Sequence, residues 1–299
     1  MNASQALGTL KLLEEDIIEF KNMVEIVALC AKKKSVIRLV MAANKIDTAK
    51  KHFSAYFEEY SYALAPFGLI NAFSGSTVDH FQRRVDIHEH PDGDRVIFFG
   101  TTRGIAQALE LESAACGNLE ASYTYGYPSC CALAYDSIER GRCWIEACLS
   151  NTPGVVRLPA LANRFSTLVG AQLGVHLDYF PCSIDCSDTL SINKTNRNCL
   201  SLSPLADFLP SINEHINATV IWWGGYLWYI KGTSLQEHKI FSRPIKPFVF
   251  SPSIACPGAI EGIAYHGSRA EILINGKWLS CRGGSSPCMI LFEENSDHG

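Results

Sequence analysis

Four of the chain's twelve cysteines stand in two short motifs that can do chemistry. The first motif, YGYPSCC, places Cys130 and Cys131 after Pro128 and before a helix-like apolar stretch. Proline suits the first position of a helix, so both thiols are expected in the first turn, where backbone N–H groups lack intrahelical partners. The partial positive charge there lowers a cysteine pKa and favours thiolate. Adjacent helical side chains point about 100° apart, so both thiols can face one centre only near a helix end, and we expect one to face a site and the other to pack.

The second motif, HLDYFPCSIDC, lies about fifty residues further on and contains Cys182 and Cys186. A helix that begins at about Pro181 would place both sulfurs on one face, one turn apart. His176 precedes them on an expected strand and can reach the same point. Cysteine and histidine are soft ligands, which suit Zn²⁺ or an iron–sulfur cluster and do not suit Mg²⁺ or Ca²⁺.

The two motifs together resemble an uncharacterised prokaryotic cysteine-rich family. Its members carry Gly-Tyr-Pro-x-Cys-Cys, followed by a histidine and Pro-Cys-x3-Cys, and the resemblance covers roughly residues 95 to 195. In that family the histidine stands closer to the Pro-Cys pair than His176 does here. The resemblance implies no particular reaction, but it implies that one site is formed by Gly126, Tyr127, Pro128, Cys130, Cys131, Pro181, Cys182 and Cys186.

Three hypotheses follow for this site. In the first, Cys131, Cys182 and Cys186 hold an iron–sulfur cluster with an open position, and Cys130 or His176 is the fourth ligand or the reactive group. An enzyme of this kind would carry out redox or sulfur-transfer chemistry on a small-molecule substrate in biosynthesis. In the second, a closed Cys3His zinc site holds the fold of a binding or accessory protein. In the third, Cys130 or Cys131 is a metal-free nucleophile and His176 is its base.

Several other histidines, carboxylates and cysteines could be metal ligands, and each also has a simpler structural explanation. Asp86, His88 and His90 alternate in an expected hairpin, so they can form a two-histidine, one-carboxylate iron site or the wet face of an edge strand. Cys281 and Cys288 lie in Gly/Pro-rich segments, and a second ligand pair there is a weaker alternative to surface turns. Cys256 lies in a similar segment. Packing is expected for Cys30, Cys116, Cys143, Cys148 and Cys199.

Composition narrows the classes of function. The chain has 299 residues, a formal net charge of -4 and no long basic block, which argues against a nucleic-acid partner. No apolar run reaches the roughly 18 residues of a membrane span. The first twenty residues lack the basic start and continuous apolar stretch of a secretory signal. We therefore expect a cytoplasmic protein with reduced thiols, and the sequence leaves the oligomeric state open.

Hydrophobic periodicity predicts an α/β or α+β protein. Residues 1–210 are expected to form a helix-rich α/β body that carries the cysteine site, and residues 211–299 a β-rich part packed on it. Expected helices cover 7–31, 44–64, 103–115, 128–148 and 187–208. Strands are expected at 35–43 and 174–181, and hairpins at 83–100 and around Asn275-Gly276.

Overall fold

The computed structural model describes residues 1–73, 80–113, 118–137, 149, 154–163, 165, 181–232, 238–249, 254–266 and 268–293. These residues form a mixed α+β fold with a β-rich C-terminal part, as the sequence predicted. The helices are α1 Ala3–Glu14, α2 Phe20–Cys30, α3 Ile46–Tyr56, α4 Thr102–Ser113, α5 Asn118–Tyr125, α6 Ser129–Ser137, α7 Ser187–Ser201 and α8 Leu209–Ile216. Short 3-10 helices lie at Ala43–Lys45, Ala160–Ala162 and Ala206–Phe208.

Three β-sheets accompany these helices. The strands are β1 Val36–Met41, β2 Ser61–Phe73, β3 His80–Val85, β4 Asp94–Gly100, β5 Val155–Pro159, β6 Ala218–Trp223, β7 Tyr226–Lys231, β8 His238–Ile245, β9 Phe248–Val249, β10 Ile260–His266, β11 Arg269–Ile274, β12 Lys277–Ser280 and β13 Cys288–Glu293. The strand orders are β1-β4-β2-β3, β12-β11-β10-β8 and β5-β13-β6-β7-β9.

The first sheet is antiparallel and buried on both faces. Ile97 and Phe99 of β4 join the apolar core that α1, α2 and α3 cover. Val96 and Phe98, the alternate residues of the same strand, pack on the opposite side with α4 and α5. Successive side chains of a strand point to opposite faces, so the continuous apolar run of β4 reflects burial on both sides.

Three predicted helices are shorter than expected, and the one over 187–208 is present as α7, which ends at Ser201. Of the helix expected over 128–148, residues 129–137 form α6 and residues 138–148 lie outside the described residues. The apolar periodicity of residues 7–31 is divided between α1 and α2, because Asp16 takes a left-handed conformation (φ 50°) that ends the first helix. The helix expected over 44–64 ends at Tyr56, and the chain enters β2 at Ser61. The strand over 35–43 and the helix over 103–115 are present as β1 and α4.

The hairpin predicted over 83–100 is wrong in its pairing. Both strands exist, but β3 pairs with β2, while β4 lies between β1 and β2. A sequence pattern identifies strands better than it identifies their neighbours, because the turn residues Pro91–Asp94 are equally compatible with a connection between non-adjacent strands.

The C-terminal sheets share one apolar core. Trp228 of β7 and Met289 of β13 pack with Ile263 and Ile272 of the second sheet. The other face of the five-stranded sheet buries a separate cluster that includes Phe292 and Phe165. The hairpin predicted at Asn275-Gly276 joins β11 to β12, and both turn residues have positive φ. The boundary predicted at residue 210 stays a prediction, and β5 from before it pairs with β13.

Within the described residues, no helix combines the length and the apolar character that crossing a membrane requires.

Candidate metal centre

The first cysteine motif folds as the sequence predicted at its helix start. Gly126 has φ 72°, a left-handed conformation that glycine adopts without strain, and it turns the chain after α5. The carbonyl of Pro128 accepts hydrogen bonds from the N–H groups of Cys131 and Ala132, both at 3.1 Å, and so begins α6. Cys130 and Cys131 therefore lie in the first turn of this helix.

The second motif forms its site by a different geometry from the one predicted. The expected helix from Pro181 is wrong, because α7 begins at Ser187 with Cys186 as its N-cap residue. The N–H of Cys186 donates to the carbonyl of Ser183 at 3.4 Å, which closes a turn between Cys182 and Cys186. This turn, and not helical spacing, brings the two cysteines to one place.

The two motifs place four sulfurs together. The Sγ atoms of Cys130, Cys131, Cys182 and Cys186 all lie within 4.8 Å of one another. Cys131 Sγ lies 3.8 Å from Cys130 Sγ and 3.6 Å from Cys186 Sγ, and Cys130 Sγ lies 3.8 Å from Cys186 Sγ. The expectation that one of the adjacent cysteines merely packs is wrong, since both sulfurs join the cluster.

The polar surroundings of the sulfurs differ from one cysteine to the next. Cys131 Sγ accepts the backbone N–H of Cys182 at 3.3 Å and lies 3.5 Å from Thr189 Oγ1. Cys130 Sγ lies 3.4 Å from Asp188 Oδ2. Cys131 and Cys186 are buried, whereas Cys130 and Cys182 are half-buried. The cluster thus has an inner pair and an outer pair of sulfurs.

Burial and neighbouring thiols change the pKa values of the cluster cysteines. Burial raises the pKa of Cys131 to about 11. Burial and the adjacent Cys131 also raise the pKa of Cys130. For Cys186 burial acts in the same direction, but hydrogen bonds from the hydroxyl and N–H of Thr189 outweigh it and lower the pKa. The lowering expected at the α6 start is therefore wrong for Cys130 and Cys131, because burial outweighs the helix end.

The arrangement can hold a metal ion. Four thiols from two segments meet at the N-terminal ends of α6 and α7. Both helix ends present partial positive charge to the site, which offsets the negative charge that four thiolates would gather. Thiolate donors are soft ligands, so the group is of the kind that binds zinc or iron rather than magnesium or calcium.

The sequence also predicted site residues other than these four cysteines. His176 and the strand expected at 174–181 lie outside the described residues, apart from Pro181. Asp86, His88 and His90 lie in the turn that follows β3 and not along a strand face, so the expected row is wrong. All three are exposed, and the Asp86 carboxylate accepts the N–H of His88 at 2.7 Å, which is local turn chemistry.

The remaining described cysteines fall outside the group of four. Cys30 and Cys199 pack in or against the core under the first sheet, as expected. Cys281 and Cys288 are buried in two different apolar clusters, and burial raises their pKa values to about 12 and about 11. The surface turn expected over 283–286 is present, with Gly284 and Ser285 exposed, whereas the two cysteines that flank it are buried. Cys256 is exposed. Cys116, Cys143 and Cys148 lie outside the described residues.

Three residues beside the site escaped the sequence analysis. Asp188 and Thr189 contact the cluster, and their position directly after Cys186 at an expected helix start was an available signal. Lys34 lies 5.3 Å from the ring centre of Tyr127 and forms a buried ion pair with Glu25 at 2.6 Å. Tyr127 stands more than ninety residues away from Lys34 in the chain, so no local sequence pattern reveals this contact.

Comparison with known proteins adds no relative: the chain matches no family model, no curated protein and no solved structure. The resemblance carried by the two cysteine motifs therefore rests on those residues alone.

Proposed function

We propose that this protein binds a single thiophilic divalent ion, zinc in the first place, through Cys130, Cys131, Cys182 and Cys186. The sulfur separations carry the proposal. A tetrahedral ion with metal–sulfur bonds of about 2.3 Å places its ligands about 3.8 Å apart. The three separations among Cys130, Cys131 and Cys186 are 3.6, 3.8 and 3.8 Å, and Cys182 Sγ lies within 4.8 Å of each of these sulfurs. The cluster therefore has the dimensions of one four-coordinate ion.

The same separations give less support to the iron–sulfur cluster expected from the sequence. In a four-iron cluster each cysteine binds a different iron, so the cysteine sulfurs surround a much larger body than one ion. A set of four sulfurs within 4.8 Å leaves little room for such a body. Four thiolates also complete a tetrahedron without His176, which makes the Cys3His alternative unnecessary.

We further propose that the protein works in a reducing compartment, the cytoplasm. Cys30, Cys131, Cys186, Cys281 and Cys288 are buried free thiols, and no disulfide occurs within the part of the chain that the structure describes. Reduced cysteines favour metal binding over cross-linking. A small-molecule substrate stays a prediction. The redox or sulfur-transfer chemistry expected at an open iron position has less support, because a closed set of four thiolates offers no such position.

Anaerobic purification with elemental analysis tests the proposal. We expect one zinc per chain and a colourless protein. Replacement by Co²⁺ should give the visible absorption of a tetrahedral thiolate site at one equivalent. A broad absorption at about 400 nm together with several iron ions per chain would contradict the single-ion site and favour an iron–sulfur cluster.

A matched pair of variants connects the metal to these residues. Cys186→Ser removes a buried sulfur of the group, and Cys199→Ser removes a half-buried sulfur outside it. We expect the first variant to lose most of its zinc and the second to retain one ion per chain. Equal zinc content in both would show that the ion binds elsewhere.

A further inference from the structure

The four sulfurs of the cluster are chemically unequal. Cys131 is 2% exposed and receives a backbone N–H, and Cys186 is 7% exposed and is hydrogen-bonded by Thr189. Cys130 is half-buried, and within the described residues the polar partners of its sulfur are Cys131, Cys186 and the carboxylate of Asp188. Cys130 and Cys182 are both half-buried, but Cys130 is the one with a carboxylate beside its sulfur and, among the described residues, with no N–H donor to it.

These surroundings determine how basic, and therefore how nucleophilic, each metal-bound thiolate is. A hydrogen bond from an N–H group or a hydroxyl stabilises negative charge on sulfur, and a nearby carboxylate does the opposite. Among thiolates, the more basic one is the stronger nucleophile. A divalent ion keeps its cysteine ligands deprotonated at neutral pH, so this difference remains available in the metal-bound protein.

On the basis of the single-ion site proposed above, we propose that the metal-bound Cys130 thiolate is a nucleophile toward neutral or cationic alkyl electrophiles. In the reaction, a lone pair of Cys130 Sγ attacks the electrophilic carbon and forms a sulfur–carbon bond. The bond from that carbon to the leaving group breaks, and the leaving group departs with the electron pair. Cys130 becomes a neutral thioether, and the charge of the centre changes from -2 to -1.

Charge determines the class of substrate. One divalent ion with four thiolates carries a net charge of -2, and Asp188 adds a further negative charge beside Cys130. Asp188 is exposed, so its field reaches the side from which an electrophile approaches. An anionic reagent is repelled on that approach, and a neutral or cationic reagent is not.

Alkylation of the zinc-loaded, full-length protein tests the inference. Iodoacetamide and iodoacetate transfer similar groups and differ in charge, and free N-acetylcysteine corrects for their intrinsic reactivities. The modified cysteine is identified by tandem mass spectrometry, which separates Cys130 from the adjacent Cys131. We expect Cys130 to react before the other three cluster cysteines and to prefer iodoacetamide about ten-fold over iodoacetate at low salt. This charge preference should shrink with added salt.

Asp188→Asn is the matched variant. It keeps the shape of the side chain and removes its charge, so we expect the preference for iodoacetamide to shrink while Cys130 remains the first cluster cysteine to react. Cys256, which is exposed and outside the cluster, provides an internal reference thiol in every sample. Its preference should not respond to the substitution.

The outcomes separate this inference from the site on which it rests. Zinc content is measured on the same sample before alkylation. A protein that holds one zinc but reacts first at Cys131, Cys182 or Cys186, or without a charge preference, overturns the inference and leaves the metal site intact. A protein that holds no zinc overturns both.

Discussion

Thiols in this chain owe their different roles to what lies within a few ångströms of each sulfur. Cys131 has another sulfur at 3.6 Å and a backbone donor at 3.3 Å. Cys199 packs against the apolar core that α1, α2 and α3 cover, and burial raises its pKa. Residue type is the same in both cases, so only the neighbours distinguish a ligand from a packing residue.

At this scale we predict the effect of removing one sulfur. Cys131→Ser should weaken Co²⁺ affinity at least about 100-fold, because the hydroxyl is a poor ligand and the inner sulfur has no substitute nearby. Titration of metal-free protein with Co²⁺, followed by visible absorption, measures this change.

The control for that titration is Cys199→Ser, which should bind Co²⁺ as the parent does. Circular dichroism should show both variants folded. An unchanged Co²⁺ affinity in Cys131→Ser would remove Cys131 from the ligand set.

Among the elements, the turn before α6 positions the first cysteine pair. Gly126 stands at φ 72°, and a side chain there is strained by roughly 1–2 kcal/mol. Its location four residues before Cys130 means that relief of this strain would move the start of α6. We therefore predict that Gly126→Ala lowers both the free energy of unfolding, by about 1 kcal/mol, and the affinity for zinc. Urea unfolding and competition with a zinc chelator measure the two effects.

Gly276 supplies the matched control at this scale. It has φ 70° in the β11–β12 turn, where an added Cβ meets no atom within 4 Å. Gly276→Ala should therefore cost a similar free energy of unfolding and leave zinc affinity unchanged. Equal effects of both substitutions on zinc affinity would show that the Gly126 turn does not position the site.

The sequence predicted elements better where one segment determines its own structure. The helix start at Pro128 and the Asn275-Gly276 hairpin follow from local chemistry, and both are confirmed. The pairing of β3 and the break at Asp16 were missed. Both features depend on which distant segments pack against these residues, because tertiary contacts override local periodicity.

The same reasoning explains the outcome for the site. Meeting of Cys131, Cys182 and Cys186 was predicted and is confirmed by the distances, although the assumed helix from Pro181 was wrong. Cys130 was a candidate fourth ligand and does join the group of four. The expectation that one of the two adjacent thiols packs was wrong, because the 100° argument applies to a regular helix and the two sulfurs lie at its first turn. Asp188 was overlooked because a carboxylate is not an expected neighbour of thiols.

For the whole molecule, the apolar clusters are large compared with the metal site. Among the residues that the structure describes, four separate apolar clusters bury parts of every sheet. We therefore predict that removal of zinc by a chelator leaves the secondary structure intact and lowers the melting temperature by several degrees, in line with loss of a bound ligand. Circular dichroism before and after chelation measures both quantities. Complete unfolding on chelation would show that the ion is required for folding, as in small zinc domains.

Alkaline pH should destabilise the fold through its buried thiols. Burial raises the pKa of Cys30 from about 9 to about 12. The contribution of this thiol to stability is fully present below pH 9. It is lost as pH rises toward 12, because the unfolded chain releases the proton first, at about 1.4 kcal/mol per pH unit for one thiol. Cys30→Ala should therefore show a smaller decline of the unfolding free energy between pH 9 and 11 in urea titrations.

Leu29→Ala is the control for this pH dependence. Leu29 is buried in the same apolar cluster and carries no titratable group. Its replacement should lower the unfolding free energy by a similar amount at every pH and keep the parent's slope. A parental slope in Cys30→Ala would exclude Cys30 as a source of alkaline instability.

Strand order in the five-stranded sheet has a consequence for synthesis of the chain. β13 lies between β5 and β6, yet it follows β7 by about sixty residues. At translation rates of about 5–20 residues per second, the ribosome needs roughly 3 to 12 s to add those residues. During that interval β5 and β6 each lack the strand that lies between them, so the five-stranded sheet cannot be completed until β13 emerges.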